Sequence, residues 1–318
     1  MDGHRTMLLH YPMPKWRRRA LLYQVIGAIP YSSQVLNSVR NRFGRLKNWD
    51  LTGRQPAINE MIYILNQVKK SVEDKTLAEI GAGWHPYMAA LFYGMGAKKI
   101  FLTDVAANIR PEYVLQTLQY LIDNVGKISE RSGVSESQLL ERWNELNPDS
   151  EPWRVDWKKK GIIYLAPFNF ADTKWANESV DMIYSNSCLG YVPESVLTGI
   201  FSESARVLRP GGWVSHNITT YDDYSIYDLD VSPLNFLTFS QNEWQRIGNS
   251  NLHYQNRLRP ENYLTLCRDA KMTVSFSERK ALCYNLEIQE RISLDEQYST
   301  LPDEEILCAR FLLSADKL

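Results

Sequence analysis

Glu79-x-Gly81-x-Gly83, followed about twenty residues on by Asp104, holds the residue types best placed to do chemistry in this chain. Glycines without a Cβ let a backbone turn tightly and approach a ligand closely. An acid at the end of the next strand is placed to accept hydrogen bonds from a ribose. The acid two residues before the first glycine is the discriminating feature. A carboxylate there would repel a pyrophosphate and attract a cationic or amino-bearing ligand. The dinucleotide fingerprint G-x-G-x-x-G is excluded as well, because Pro86 stands where its third glycine would be. For proton transfer near neutral pH, histidine is the favoured type. Of five histidines, His4 and His10 lie near the N-terminus, His85 in the glycine loop and His253 in a late loop. His216 directly precedes Asn217-Ile-Thr-Thr-Tyr-Asp-Asp223, so His216 is the first candidate base and Asp223 the second. Four cysteines are widely spaced without a C-x-x-C pair, which points away from a zinc site or disulfide scaffold. No metal is expected.

The elements around these residues alternate. Thr76–Ile80 reads as a buried strand, Tyr87–Ala97 as a helix and Lys98–Asp104 as a second strand. Pro56–Val72 and Pro111–Ile128 carry apolar residues at helical spacing. Further strands are expected at 161–167, 179–185 and 213–218, with a helix at Glu194–Val207 stopped by Arg209-Pro-Gly-Gly212. Two late apolar strands follow at 272–276 and 306–313, preceded by a helix at 260–270. Such alternation implies an α/β fold with a mostly parallel sheet covered on both faces. Residues 129–160 read as a polar helical insertion, and 220–260 as an aromatic substrate lid bearing Tyr221, Tyr224, Tyr227, Phe236, Phe239, Trp244 and Tyr254. Those rings would either wall in a planar or apolar acceptor or form the core of the lid itself. Asn256, Arg257 and Arg259 would hold an acceptor anion or stand at the surface.

Glu79-x-Gly81-x-Gly83 and Asp104, the run Ser179-Val-Asp181-Met-Ile-Tyr-Ser185, and Ala205-Arg-Val-Leu-Arg-Pro-Gly-Gly212 stand in an order that resembles class I S-adenosylmethionine-dependent methyltransferases. The Gly83-Trp-His-Pro86 loop further resembles a small-molecule group with a Gly-Trp-x-Pro turn, although His85 takes the family's third-glycine position. The resemblance covers roughly residues 70–220. It implies a Rossmann-like seven-stranded sheet and S-adenosylmethionine as cofactor, leaving as S-adenosylhomocysteine. It also implies roles for particular residues. Glu79, Gly81, Ala82 and Gly83 would line the methionine and ribose end, and Asp104 would take the ribose hydroxyls. Asn169 or Asp172 would bond the adenine amino group, and Ser185 and Asn186 would sit near the sulfonium.

The first 58 residues form a separate expectation, a basic helical arm ahead of a catalytic domain at 59–318. Ten Lys and Arg residues there face only Asp2 and Asp50. A helix is expected over 20–30, with Leu21, Leu22, Val25, Ile26 and Ile29 at helical spacing, and a second over 32–43. The arm reads as an amphipathic lid with solvated cations. Alternatively it is a flap over an acceptor bearing phosphate or carboxylate, or touches an anionic membrane surface. No nucleic-acid module accompanies the basic run, no transmembrane run or signal-peptide core is visible, and a cytoplasmic location is expected. The oligomeric state is not legible. The leading expectation is methyl transfer to oxygen or nitrogen of a small organic acceptor in specialised biosynthesis. Carbon methylation of an alkene or aromatic acceptor, with a phosphate or diphosphate tail, is the alternative. A non-catalytic cofactor-binding scaffold is the alternative of another class.

Overall fold

Thr76-Leu-Ala-Glu-Ile80, buried along all but its first residue, forms a central strand at the middle of the sheet in the larger of two units in the chain's computed structural model. The structure describes residues 13–30, 51–147, 152–281 and 292–318. The helix expected over 32–43 falls outside them. The larger unit takes its described residues from 51–221, 256–281 and 301–318, and the smaller from 13–30, 222–255 and 292–300.

The larger unit is built on one seven-stranded sheet: β1 (Thr76–Ile80), β2 (Lys99–Thr103), β3 (Ile162–Leu165), β4 (Val180–Asn186), β5 (Leu208–Thr219), β6 (Met272–Ala281) and β7 (Cys308–Lys317). Their order is β3-β2-β1-β4-β5-β7-β6, with β7 antiparallel to both neighbours and the remaining pairs parallel. This is the expected Rossmann-like arrangement. The chain leaves β1 toward β2 and β3, then returns to β4 on the opposite side. A crevice therefore opens beyond the carboxyl ends of β1 and β4, where open α/β sheets bind ligands.

Alternation along the strands divides the core in two. Leu77, Met182, Tyr184 and Trp213 pack on one side with the helices Gln55–Val68, Tyr87–Gly94 and Pro111–Asp123. Ala78, Ile183, Val214 and Ile218 pack with the helices Glu194–Val207 and Pro260–Asp269. The stretch read as an insertion is part of the first layer. Trp143 is fully buried and its indole N–H donates to the Ala90 carbonyl at 2.8 Å, while Trp157 donates to the Leu146 carbonyl. Polar faces on Glu136–Glu145 and Trp153–Lys159 had hidden these anchors.

In the smaller unit, Trp16 on the helix Lys15–Gly27 packs against Tyr224, Phe239 and Trp244, with ring centroids 5.6–6.4 Å apart. Phe236 closes on Trp244 at 6.0 Å. The arm helix and the aromatic stretch, read from sequence as separate features, thus share one core. The helix turns the other way from its expected amphipathicity: Trp16, Ala20 and Gly27 are buried, while Leu21, Leu22, Val25 and Ile29 are exposed. Among the described residues no helix is long and apolar enough to cross a membrane.

Candidate functional site

β1 ends on Ile80 and the chain must reverse to enter the helix Tyr87–Gly94. Gly81 and Gly83 make that turn in left-handed backbone at φ +77° and +66°, where a side chain would be strained. At Gly81 an added Cβ would also collide with Cys188 Sγ. The N–H groups of Gly81 and Ala82 both donate to the Thr103 carbonyl of β2 (3.0 and 2.9 Å), which ties the loop down. Asp104 completes the tie: its carboxylate accepts from the Gly83 N–H at 2.8 Å and the Ala106 N–H at 2.9 Å. Burial pushes its pKa up against those hydrogen bonds.

Beyond this loop lies a cavity of about 270 Å³, lined by Glu79, the loop Gly81–His85, Tyr87, Asn186, Ser187, Cys188, Tyr191 and Arg54. Its size is close to the ~300 Å³ lower bound for small-ligand clefts. Glu79, Gly81, Ala82, Gly83 and Asn186 among the expected residues meet there. Glu79 is 4% exposed, and burial raises its pKa to about 8, against a hydrogen bond donated by the Tyr184 hydroxyl at 3.1 Å. The nearby Asp104 pushes in the same direction as burial. The carboxyl therefore keeps its proton near pH 7. Asn186 donates to the Tyr87 hydroxyl at 2.5 Å and accepts from the Asn217 amide at 3.0 Å. Asn217 and Arg310 in turn donate to the Glu60 carboxylate at 2.8 and 2.7 Å. A polar chain thus runs from the cavity wall into the protein.

His85 does not obstruct the loop. Its ring packs on Tyr113 at 4.7 Å and its Nε2 lies 3.2 Å from Gln116 Oε1, an acceptor that requires the proton on that nitrogen. Burial lowers its pKa to about 4, so it is neutral near pH 7. Trp84 meets the same Tyr113 edge-on.

Other expected residues stand elsewhere. Ser185 and His216 face away from the cavity: His216 Nδ1 lies 2.9 Å from Ser185 Oγ, and the imidazole packs on Phe201 of the opposite layer. The period of two along β4 and β5 causes this, since Asn186 and Asn217 take the other face. Burial depresses the His216 pKa to about 3, so a base role has no support in this geometry. Asp223 belongs to the smaller unit, where its backbone N–H donates to the Gln255 side chain. Asn169 and Asp172 are exposed and outside the cavity lining. Asn169 accepts from the Ala171 N–H, and Asp172 pairs with Lys174 at 2.8 Å. Asn256, Arg257 and Arg259 are all buried, so none of them stands at the surface. Arg259 is 2% exposed and donates to the carbonyls of Thr220, Glu305, Ile306 and Cys308. Asn256 donates to those of Leu189 and Val192. Sequence reasoning missed Arg54, Tyr87, Tyr191 and Cys188. Tyr87 had a signal, being the first helical residue after the loop; Tyr191 sits in the single turn Leu189–Tyr191 after β4, which carried none.

Residues 138–215 match a family model described as a methyltransferase domain. No curated protein matches the chain. Similar solved structures include an S-adenosylmethionine-dependent methyltransferase from Mesorhizobium loti (14% identity, 83% of this chain and 97% of that one, TM-score 0.42). A putative sarcosine dimethylglycine methyltransferase from Galdieria sulphuraria is similar at 14% identity over 82% and 85% of the two chains, with a TM-score of 0.45. A geranyl diphosphate methyltransferase matches at 16% identity over 83% and 78%, with a TM-score of 0.44. Likeness this distant carries no argument about acceptors.

Proposed function

We propose that this chain, a methyltransferase of the S-adenosylmethionine-dependent class, passes a methyl group to oxygen or nitrogen of a small organic acceptor bound in the cavity of its larger unit. One observation carries the reading: Glu79, the left-handed glycine loop and Asn186 converge on a single cleft at the ends of β1 and β4. The matched residues 138–215 span β3 and β4 and much of β5, whereas Glu79 and the loop lie outside them, so the two supports are independent. The residues also suit the cofactor chemically. Gly83 of the loop opens on free space, and a buried acid next to the loop matches an α-ammonium group.

When bound, S-adenosylmethionine supplies an electrophilic methyl on a sulfonium. Glu79 would pair with the ammonium, giving up its proton on binding. Asp104 holds the Gly83 N–H and would offer its remaining lone pairs to the ribose hydroxyls. Tyr87 keeps its proton, since burial raises its pKa, so its hydroxyl and the Asn186 amide orient an acceptor rather than deprotonate it. Orientation of this kind supplies much of the acceleration in a bimolecular displacement. Arg54 in the cavity wall favours a second reading of the acceptor, one bearing a carboxylate or phosphate. Of the rings offered for the alkene-binding alternative, Tyr224, Phe236 and Trp244 are buried in the smaller unit's own core, while Tyr227 is exposed.

The test is transfer of isotope-labelled methyl from S-adenosylmethionine to a panel of hydroxylated, amino and phosphorylated acceptors. Gly81→Ala should cut kcat/KM by roughly a hundredfold, the scale of a small displacement of bound reactants. Cofactor binding without release of S-adenosylhomocysteine under any acceptor would instead identify a scaffold protein.

A further inference from the structure

The helix Lys15–Gly27 is inside out. A helix on a globular protein normally buries its apolar stripe and exposes its polar one. Here the inward side carries Trp16, Ala20, Gln24 and Gly27. The Trp16 N–H donates to Asp228 Oδ2 at 3.0 Å, the Gln24 amide to the Arg246 carbonyl at 2.6 Å, and the Asn251 amide to the Gly27 carbonyl at 3.1 Å. At a hundred degrees or so per residue, Arg18, Leu22, Val25 and Ile29 align on the opposite side, with Leu21 beside them. Those four aliphatic side chains are 50–59% exposed. The loop against the helix adds Ile226, Tyr227 and Leu229, the last 90% exposed. Arg19 lies over the Tyr227 ring at 4.0 Å, which fixes that loop alongside the helix. Single exposed aliphatics need no explanation, but a contiguous row of them does.

The charge around the row says what it fits. Lys15, Arg17 and Arg18 are exposed at the helix's first turn, and no acid occurs between Asp2 and Asp50. Among the described residues, Asp230 pairs with Lys15 at 3.7 Å. Exposed aliphatic side chains with cations beside them suit contact with an anionic lipid surface, where the cations meet phosphates and the aliphatics the acyl boundary.

We propose that the Leu21–Ile29 face of the smaller unit docks on the surface of an anionic lipid bilayer, with the aliphatics at headgroup depth and Lys15, Arg17 and Arg18 on the lipid phosphates. The docking is peripheral and independent of the methyl transfer.

The full-length protein should sediment with phosphatidylcholine vesicles containing about 30% phosphatidylglycerol, less with pure phosphatidylcholine, and less as salt rises. Leu22→Gln/Val25→Gln should lower partitioning at least tenfold, and Arg17→Gln/Arg18→Gln roughly tenfold, at about a kcal/mol or less per cation. All four positions are exposed, so an unchanged melting temperature and unchanged S-adenosylmethionine binding certify the variants. Three results overturn the proposal: no binding to the anionic vesicles, binding that both double variants leave intact, or self-association in sedimentation velocity that Leu22→Gln/Val25→Gln abolishes without any lipid binding in the parent.

Discussion

Glu79 joins fold and function at the scale of one residue. An acid placed two residues before the glycines can serve a cation only if it is buried beside the ligand, and burial is what raises its pKa to about 8. In the unfolded chain it ionises near 4.5, so between the two values folding takes up a proton. Its contribution to stability therefore falls as pH rises through that window and levels off above it. Glu79→Gln should gain stability over the parent from pH 5 to pH 8, read as a widening difference in melting temperature, roughly the trend of a group titrating across that range; parallel curves would contradict the burial argument. His216 behaves oppositely. It is held neutral against Ser185 and Phe201 and stays neutral until about pH 3. His216→Asn should cost about 1–3 kcal/mol in denaturant titration and leave the shape of the pH–rate profile unchanged. Loss of a limb of that profile would restore it as a base. Both residues were visible in the sequence as candidates; what separated them was strand parity, which a one-residue error in β5 would have reversed.

At the scale of elements, the glycine loop and the succession of strands and helices were legible because they rest on local rules: a turn requiring positive φ, and short apolar strands alternating with helices. The Arg209-Pro-Gly-Gly212 stop was read correctly as the end of the helix Glu194–Val207, yet it lies inside β5, which begins at Leu208. Arg259 was not legible at all. A cation after an aromatic stretch suggests an anion site, but here the guanidinium ties the end of β5, the start of β7 and the turn before it through their carbonyls. Only long-range packing reveals that. Because a lysine cannot reach several carbonyls in a planar fork, Arg259→Lys should destabilise the protein by at least ~3 kcal/mol in urea unfolding, each orphaned carbonyl costing about 1–3. A change under about 1 kcal/mol would show that the carbonyls find other partners. Trp143 and Trp157 teach the same lesson: anchors on otherwise polar helices read as an insertion until Trp143 is seen to reach Ala90 of the helix Tyr87–Gly94 and Trp157 to reach Leu146.

At the scale of the molecule, the chain divides its sequence between two cores. The cavity and its lining belong to one unit, and the inverted helix to the other. Composition alone concealed the division, since the smaller unit is assembled from segments far apart in the chain, joined through Trp16 and the rings around Trp244. The central claim is that the cleft at β1 and β4 takes a sulfonium nucleoside by its ammonium end. Calorimetric titration of the purified protein with S-adenosylmethionine, S-adenosylhomocysteine and NADH, at pH values either side of 8, tests it most directly. The account predicts micromolar binding of the two sulfur ligands, tightening about tenfold per pH unit below the Glu79 pKa for the one proton released and levelling off above it, lost in Glu79→Ala, and none for NADH. Binding of NADH, or sulfur-ligand affinity indifferent to Glu79→Ala, would contradict it.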